Sequence, residues 1–221
     1  MFSGVANKLE RASYFLDNIK ALAKAAGGFP YIKNRQELRA NLDAFFFELI
    51  SAKDFFLQGI NDHYKLGLRK QSATNTKKLI SKLESIGELT AINTVASIGD
   101  EISNKTSWLW ILNNYRNSAT HRELLHLGHV LKMDITVEKE LFDKIRQGNL
   151  KIKPIYDGQD ISSAPDVKKV KVPPENIKTY LFKDPEDPSK GNADIEVIPY
   201  CEESLQRMSD FLGEKYHNLG I

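Results

Sequence analysis

A single cysteine, Cys201, stands in 221 residues. It excludes an intrachain disulfide framework and a zinc centre built on several thiolates, and it suits a reducing compartment. Long apolar runs are equally scarce. No stretch approaches the roughly 18 uninterrupted apolar residues that a membrane span needs. The N-terminus "MFSGVANKLERASYFL" has neither the basic nor the apolar region of a secretory leader. These absences predict a soluble, cytoplasmic chain with no membrane partner. Phosphate-binding glycine loops and the nucleophile-elbow pattern are missing as well, which removes the commonest nucleotide-hydrolysing and serine-hydrolase readings. What is present is a 41% share of hydrophobic residues, enough for a core without covalent staples.

Charge is nearly balanced overall, at +2, but unevenly placed. Residues 1–149 hold 21 basic and 16 acidic side chains, whereas residues 150–221 hold 10 and 13. From His63 to Leu83 there are six basic residues (Lys65, Arg69, Lys70, Lys77, Lys78 and Lys82) and no acid. Such a segment can track phosphates, with Arg69, Lys70, Lys77 and Lys78 the candidate RNA contacts. Read alone, the segment is better described as a solvated lysine-rich loop and first helical turn. Tyr64 is its one aromatic neighbour, too few for a stacking platform.

Helical periodicity dominates the first three-fifths. Val5, Leu9, Ala12, Leu16, Ile19 and Ala23 form one stripe, closed by Gly27-Gly28 and Pro30. A second helix starts near Asn34, a cap with Glu37 three residues on. Its stripe is Leu38, Leu42, Phe45, Leu49, Ala52 and Phe56, and Phe46, Phe47, Ile50 and Phe55 widen the apolar arc. A helix so broad is contacted from two sides, by its own neighbours or by a second subunit. A third helix is predicted from about Thr74 to Val95, bent near Gly87, and a fourth from Ser103 or Thr106. After Leu131, "MDITVEKELFDKIRQGN" holds one short helix. The Pro-, Ser- and Asp-rich segment that follows reads as loop with a strand at 169–172. "KTYLF" and "ADIEVIPY" predict a β-hairpin around the turn-dense "KDPEDPSKGN". Leu205, Met208, Leu212 and Tyr216 give a closing helix. The expected architecture is mainly α: a bundle of four to five helices over 1–147, with a small hairpin-plus-helix appendage over 148–221.

The stretch "WLWILNNYRNSATHR" carries the chemistry. At 100° per residue, Arg116 falls between Leu109 and Leu112 in the apolar arc, while an unbroken helix puts His121 about 140° away. The two could then not act on one atom within one protomer. Asn117, Ser118 and Thr120 are weak helix formers, so a break here can swing His121 back; alternatively, a dimer joins two motifs. A guanidinium holds a phosphate and stabilises charge on its oxygens, and an imidazole moves protons near neutrality. Together they suit RNA cleavage by the ribose 2′-hydroxyl, with no metal and no protein nucleophile.

"RNSATH" at 116–121, at the end of a Trp- and Leu-rich helix and after "FFFELISAKDFF", resembles the Arg-x4–6-His signature of the HEPN superfamily over roughly residues 5–130. The resemblance implies a homodimer of helical bundles, often a metal-independent endoribonuclease in defence or toxin–antitoxin settings. It implies RNA as substrate, an antitoxin or nucleotidyltransferase as partner, and no cofactor. Carried over, Arg116 binds phosphate, His121 is the general acid/base and Asn117 orients one of them. The superfamily also holds non-catalytic RNA- or protein-binding dimerisation modules, the alternative here.

Bland readings compete at each position. Arg116 can pair with Glu48 or Asp43 to support packing, and His121 can cap or face solvent. Glu123, His126 and His129 step around a helix by about 60° each and converge poorly on a metal. Cys201, near the start of the last helix, reads as an inert core thiol.

Overall fold

In the computed structural model, residues 3–25, 35–121, 127–131, 151–155, 167–171, 177–181 and 195–220 are described; for residues 24, 25, 35, 118–121, 127–181 and 195 this covers backbone alone. The chain is mainly helical. Seven helices are described: α1 (Ser3–Ala25), α2 (Arg35–His63), α3 (Lys70–Ala73), α4 (Thr76–Glu84), α5 (Leu89–Ser103), α6 (Trp108–His121) and α7 (Val197–Leu219). None of them is long and apolar enough to cross a membrane.

The two long helices form the frame. Gly4 meets Phe55, Lys8 meets Glu48 and Asn18 meets Asn41, so α1 and α2 run antiparallel. Gly4 allows the close approach: a Cβ there would lie 2.4 Å from the Phe55 ring, which would have to shift. The predicted α2 stripe (Leu38, Leu42, Phe45, Leu49, Ala52 and Phe56) is buried throughout. Each such Leu or Phe contributes about 1.5–3 kcal/mol when fully removed from water. On the second side of α2, Phe46 stacks on Tyr115 of α6 with ring centroids 5.4 Å apart, and Tyr200 of α7 meets Tyr115 edge-on at 5.6 Å. Val197, Cys201, Met208 and Leu212 of α7 belong to this same core. The expected boundary at 147/148 lies outside the described residues.

Three helix limits differ from the expectation. The third helix does not bend at Gly87 but stops there. Glu88 N–H reaches Leu83 C=O and Gly87 N–H reaches Glu84 C=O around a glycine at φ +77°, a Schellman ending, and α5 then restarts at Leu89 and runs on to Ser103. The next helix begins at Trp108 because Ser107 caps it: its hydroxyl accepts the Leu109 N–H at 3.2 Å and donates to Glu101. Within the "ADIEVIPY" run, Ile195–Glu196 is extended and helix α7 starts at Val197, where the sequence pattern predicts that the strand continues. Pro199 is its third residue, among the N–H groups that no helix satisfies internally, so it does not break the helix.

Backbone strands are β1 (Leu127–Leu131), β2 (Lys151–Ile155), β3 (Val167–Lys171), β4 (Ile177–Leu181) and β5 (Ile195–Glu196). β4 lies between β1 and β5, antiparallel to both, with Leu127 opposite Leu181 and Tyr180 opposite Glu196; β2 and β3 pair in parallel. The connection that a complete hairpin over this region requires, and the short helix expected after Leu131, lie outside the described residues.

Candidate functional site

The turn before α6 sets the site's position. Asn104 Oδ1 accepts from the Thr106 N–H and hydroxyl, Ser107 caps the helix, and Leu109 and Leu112 bury its inner face. Tyr115 then locks α6 against α2. One residue further, Arg116 lies with its guanidinium carbon 5.7 Å from the centroid of the Phe47 ring, and its Nη1 donates to Asn117 Oδ1 at 3.3 Å. Successive residues thus meet successive residues: Phe46 with Tyr115, Phe47 with Arg116. Arg116 is half-buried, as its place in the apolar arc requires.

The helix does not break at "NSAT". It continues unbroken to His121, which corrects the possibility of an intrachain return. Weak propensity at Asn117, Ser118 and Thr120 amounts to a few tenths of a kcal/mol each, less than the packing that holds the helix. Arg116 and His121 therefore leave the helix axis about 140° apart. The structure joins Arg116 to Asn117 and separates Arg116 from the histidine position within one chain, whereas Asn117, four residues before His121, lies only about 40° from it on the helix.

The packing reading of Arg116 also changes. Glu48, only 4% exposed, receives Lys8 Nζ at 2.7 Å and Arg11 Nη2 at 2.8 Å from α1. Its described partners are thus α1 cations. Lys8 Nζ also stands 5.6 Å from the Phe47 centroid and 5.4 Å from that of Phe55. Asp43 lies near a different cation, Arg39. Burial raises its carboxyl to about 6 against the opposing pull of Arg39, and its Oδ1 has no hydrogen-bond partner. Burial likewise pushes the Cys201 thiol far above its usual range, so it stays a protonated core group.

The basic segment forms a second group. Lys65, Arg69, Lys70, Lys77, Lys78 and Lys82 are all exposed. The chain enters this region through a Schellman ending of α2, with the Leu66 N–H on Asn61 C=O and the Lys65 N–H on Asp62 C=O. Buried Asn61 pins the loop: its Oδ1 accepts from the Leu68 N–H at 2.9 Å and its Nδ2 donates to Leu68 C=O at 3.3 Å. Lys65 and Arg69 line a hollow of about 490 Å³ beside it. Asn75 caps α4 and brings Lys77 and Lys78 onto its first turn. Along α2, the start of this segment at His63 is about 24 Å from Phe47, so patch and motif are not one cluster at this helix.

Among the described residues, no grouping of His, Cys, Asp and Glu could hold a metal ion. Glu123 and His126 fall outside the described residues, and of His129 only backbone is described. Phe47, Lys8, Arg11 and Asn61 are the site-forming residues the sequence reading did not single out. Asn61 carried a signal, a polar residue on the buried side of an apolar helix just before a turn.

Comparison with family models, with curated proteins and with solved structures finds no match to the chain.

Proposed function

We propose that the chain is a HEPN-like helical protein that cleaves RNA without a metal, using a site shared between two copies. The observation that supports this reading most directly is Arg116 itself. It is a half-buried guanidinium presented from an apolar helix face, next to the asparagine that accepts its N–H. In the reading, Arg116 holds the scissile phosphate and offsets the charge gathering on its oxygens. The ribose 2′-hydroxyl attacks the adjacent phosphorus and gives its proton to an imidazole. The P–O5′ bond breaks, and the leaving 5′ oxygen takes a proton back from the imidazolium so formed. Products are a 2′,3′-cyclic phosphate and a 5′-hydroxyl, so no water is consumed in this step. Because α6 is unbroken, the reading needs His121 from a second copy to face Arg116 of the first. The exposed cations at Arg69, Lys70, Lys77 and Lys78 guide the RNA backbone toward that cleft.

Arg116→Ala and His121→Ala are each expected to lower cleavage of single-stranded RNA by at least about 100-fold. Thermal melting should stay unchanged, and chelators should not alter the rate. Product-end analysis checks the chemistry. Full activity in both variants would sink the nuclease reading.

A second reading is favoured by the same unbroken helix. If the two motif residues never face each other, the protein is a non-catalytic dimerisation module that binds RNA or a protein such as an antitoxin. RNA binding without cleavage, lost on replacing Lys77 and Lys78, separates the two readings.

A further inference from the structure

We infer that Phe47 is the positioning residue of Arg116: its ring fixes where the guanidinium sits. The role assigned to Arg116 rests on the ribonuclease reading above, whereas the ring contact itself does not.

The inference starts from an anomaly of exposure. "FFF" at 45–47 sends two rings into the core, but Phe47 stays 40% exposed on a helix whose other aromatic neighbours, Phe45 and Phe46, are sealed. Its ring is not idle. Arg116 Cζ lies 5.7 Å from its centroid, within the range at which a ring's negative face attracts a cation. The register is set independently by the Phe46–Tyr115 stack, so the guanidinium is delivered to the ring by core packing. Asn117 Oδ1 takes one Nη1 proton and thereby limits rotation about the guanidinium. A planar guanidinium set against a ring and held to an adjacent amide oxygen has a defined orientation, which is what recognition of a phosphate by its N–H groups requires.

A competing cation is present at the same ring, and its charge is answered. Lys8 Nζ is 5.6 Å from the Phe47 centroid but only 2.7 Å from Glu48 Oε2. Glu48 also holds Arg11. The α1 cations are thus turned toward a buried carboxylate one residue along α2 from Phe47.

The test uses Phe47→Leu and Phe47→Trp in the full chain. Leu keeps most of the apolar contact and removes the π face; Trp keeps both and offers the strongest face for a cation. Equal melting temperatures establish that both variants fold. The first readout is spectroscopic. Arg116 side-chain protons, assigned with Arg116→Lys as the reference, should lie upfield in the wild type from the ring current, move downfield in Phe47→Leu and return in Phe47→Trp. The second is kinetic. On a short single-stranded RNA, Phe47→Leu should lower kcat about tenfold with KM nearly unchanged, and Phe47→Trp should recover it. Arg116 resonances that ignore Phe47→Leu overturn the inference, as does a wild-type kcat in that variant. A wild-type chain that leaves RNA intact while its Arg116 resonances follow the ring overturns the ribonuclease reading and supports the placement by Phe47.

Discussion

Asp43 is half-buried on α2, and burial raises its carboxyl to about 6 from an ordinary value of 3.8. The folded chain therefore keeps this proton to higher pH than the unfolded chain does. The protonated carboxyl's contribution is complete below the ordinary value, declines as pH rises between the two values, and is lost above about 6. Asp43→Asn, which cannot ionise, is expected to stabilise the chain at pH 7.5 by about 1 kcal/mol, a discounted figure because solvent reaches the group. The gain should shrink toward zero near pH 4. Urea unfolding of both proteins across that range checks it, and a gain that does not change with pH would point to packing instead. Lys65 is a second residue under local strain, at φ +52° in the position of an αL helix ending that glycine favours. Lys65→Gly should raise stability by about 1 kcal/mol, read from the urea midpoint, because it relieves the Cβ clash of the left-handed region.

At the scale of elements, two similar weaknesses in the sequence have opposite outcomes. Gly87 stops a helix because a Schellman ending needs φ > 0, and its +77° supplies it. "NSAT" does not, because three weak helix formers cost less than a continuous packed helix returns. Gly87→Ala is expected to cost about 1 kcal/mol and lower the melting temperature by several degrees, since the alternative straight helix would pull α4 and α5 out of register. The stripes of α1 and α2 were legible because a 3.6-residue period survives any tertiary context. Stops were less legible. The apolar pattern runs across Gly87 from Leu83 to Ala91 with no change in character, and "ADIEVIPY" reads as a strand although α7 begins within it at Val197. For the site, the sequence could present Arg116 as anomalous in an apolar arc. It could not show that Phe47 receives it, because a third consecutive phenylalanine carries no sign of which ring stays outside. Nor could it show Asn61 gripping Leu68, which requires a turn closed over seven residues.

At the scale of the whole molecule, the unbroken α6 makes a sharp demand. If Arg116 and His121 serve one phosphate, they come from different copies, and each dimer holds two such sites. Mixing the two inactive variants tests this directly. In a dimer of one Arg116→Ala chain and one His121→Ala chain, one site lacks both residues, and the other keeps Arg116 from the second chain and His121 from the first. Random exchange makes about half of the dimers mixed, and each has one working site of two, so about a quarter of wild-type cleavage should return. The exchange is verified by tagging one variant and recovering the other with it. A site built within a single chain gives no recovery at any mixing ratio. A non-catalytic module gives none either, but it is already set apart by a wild type that binds RNA and leaves it whole. Recovery near the expected fraction therefore has one explanation: the geometry that separates arginine from histidine within a chain is the geometry that pairs them between chains.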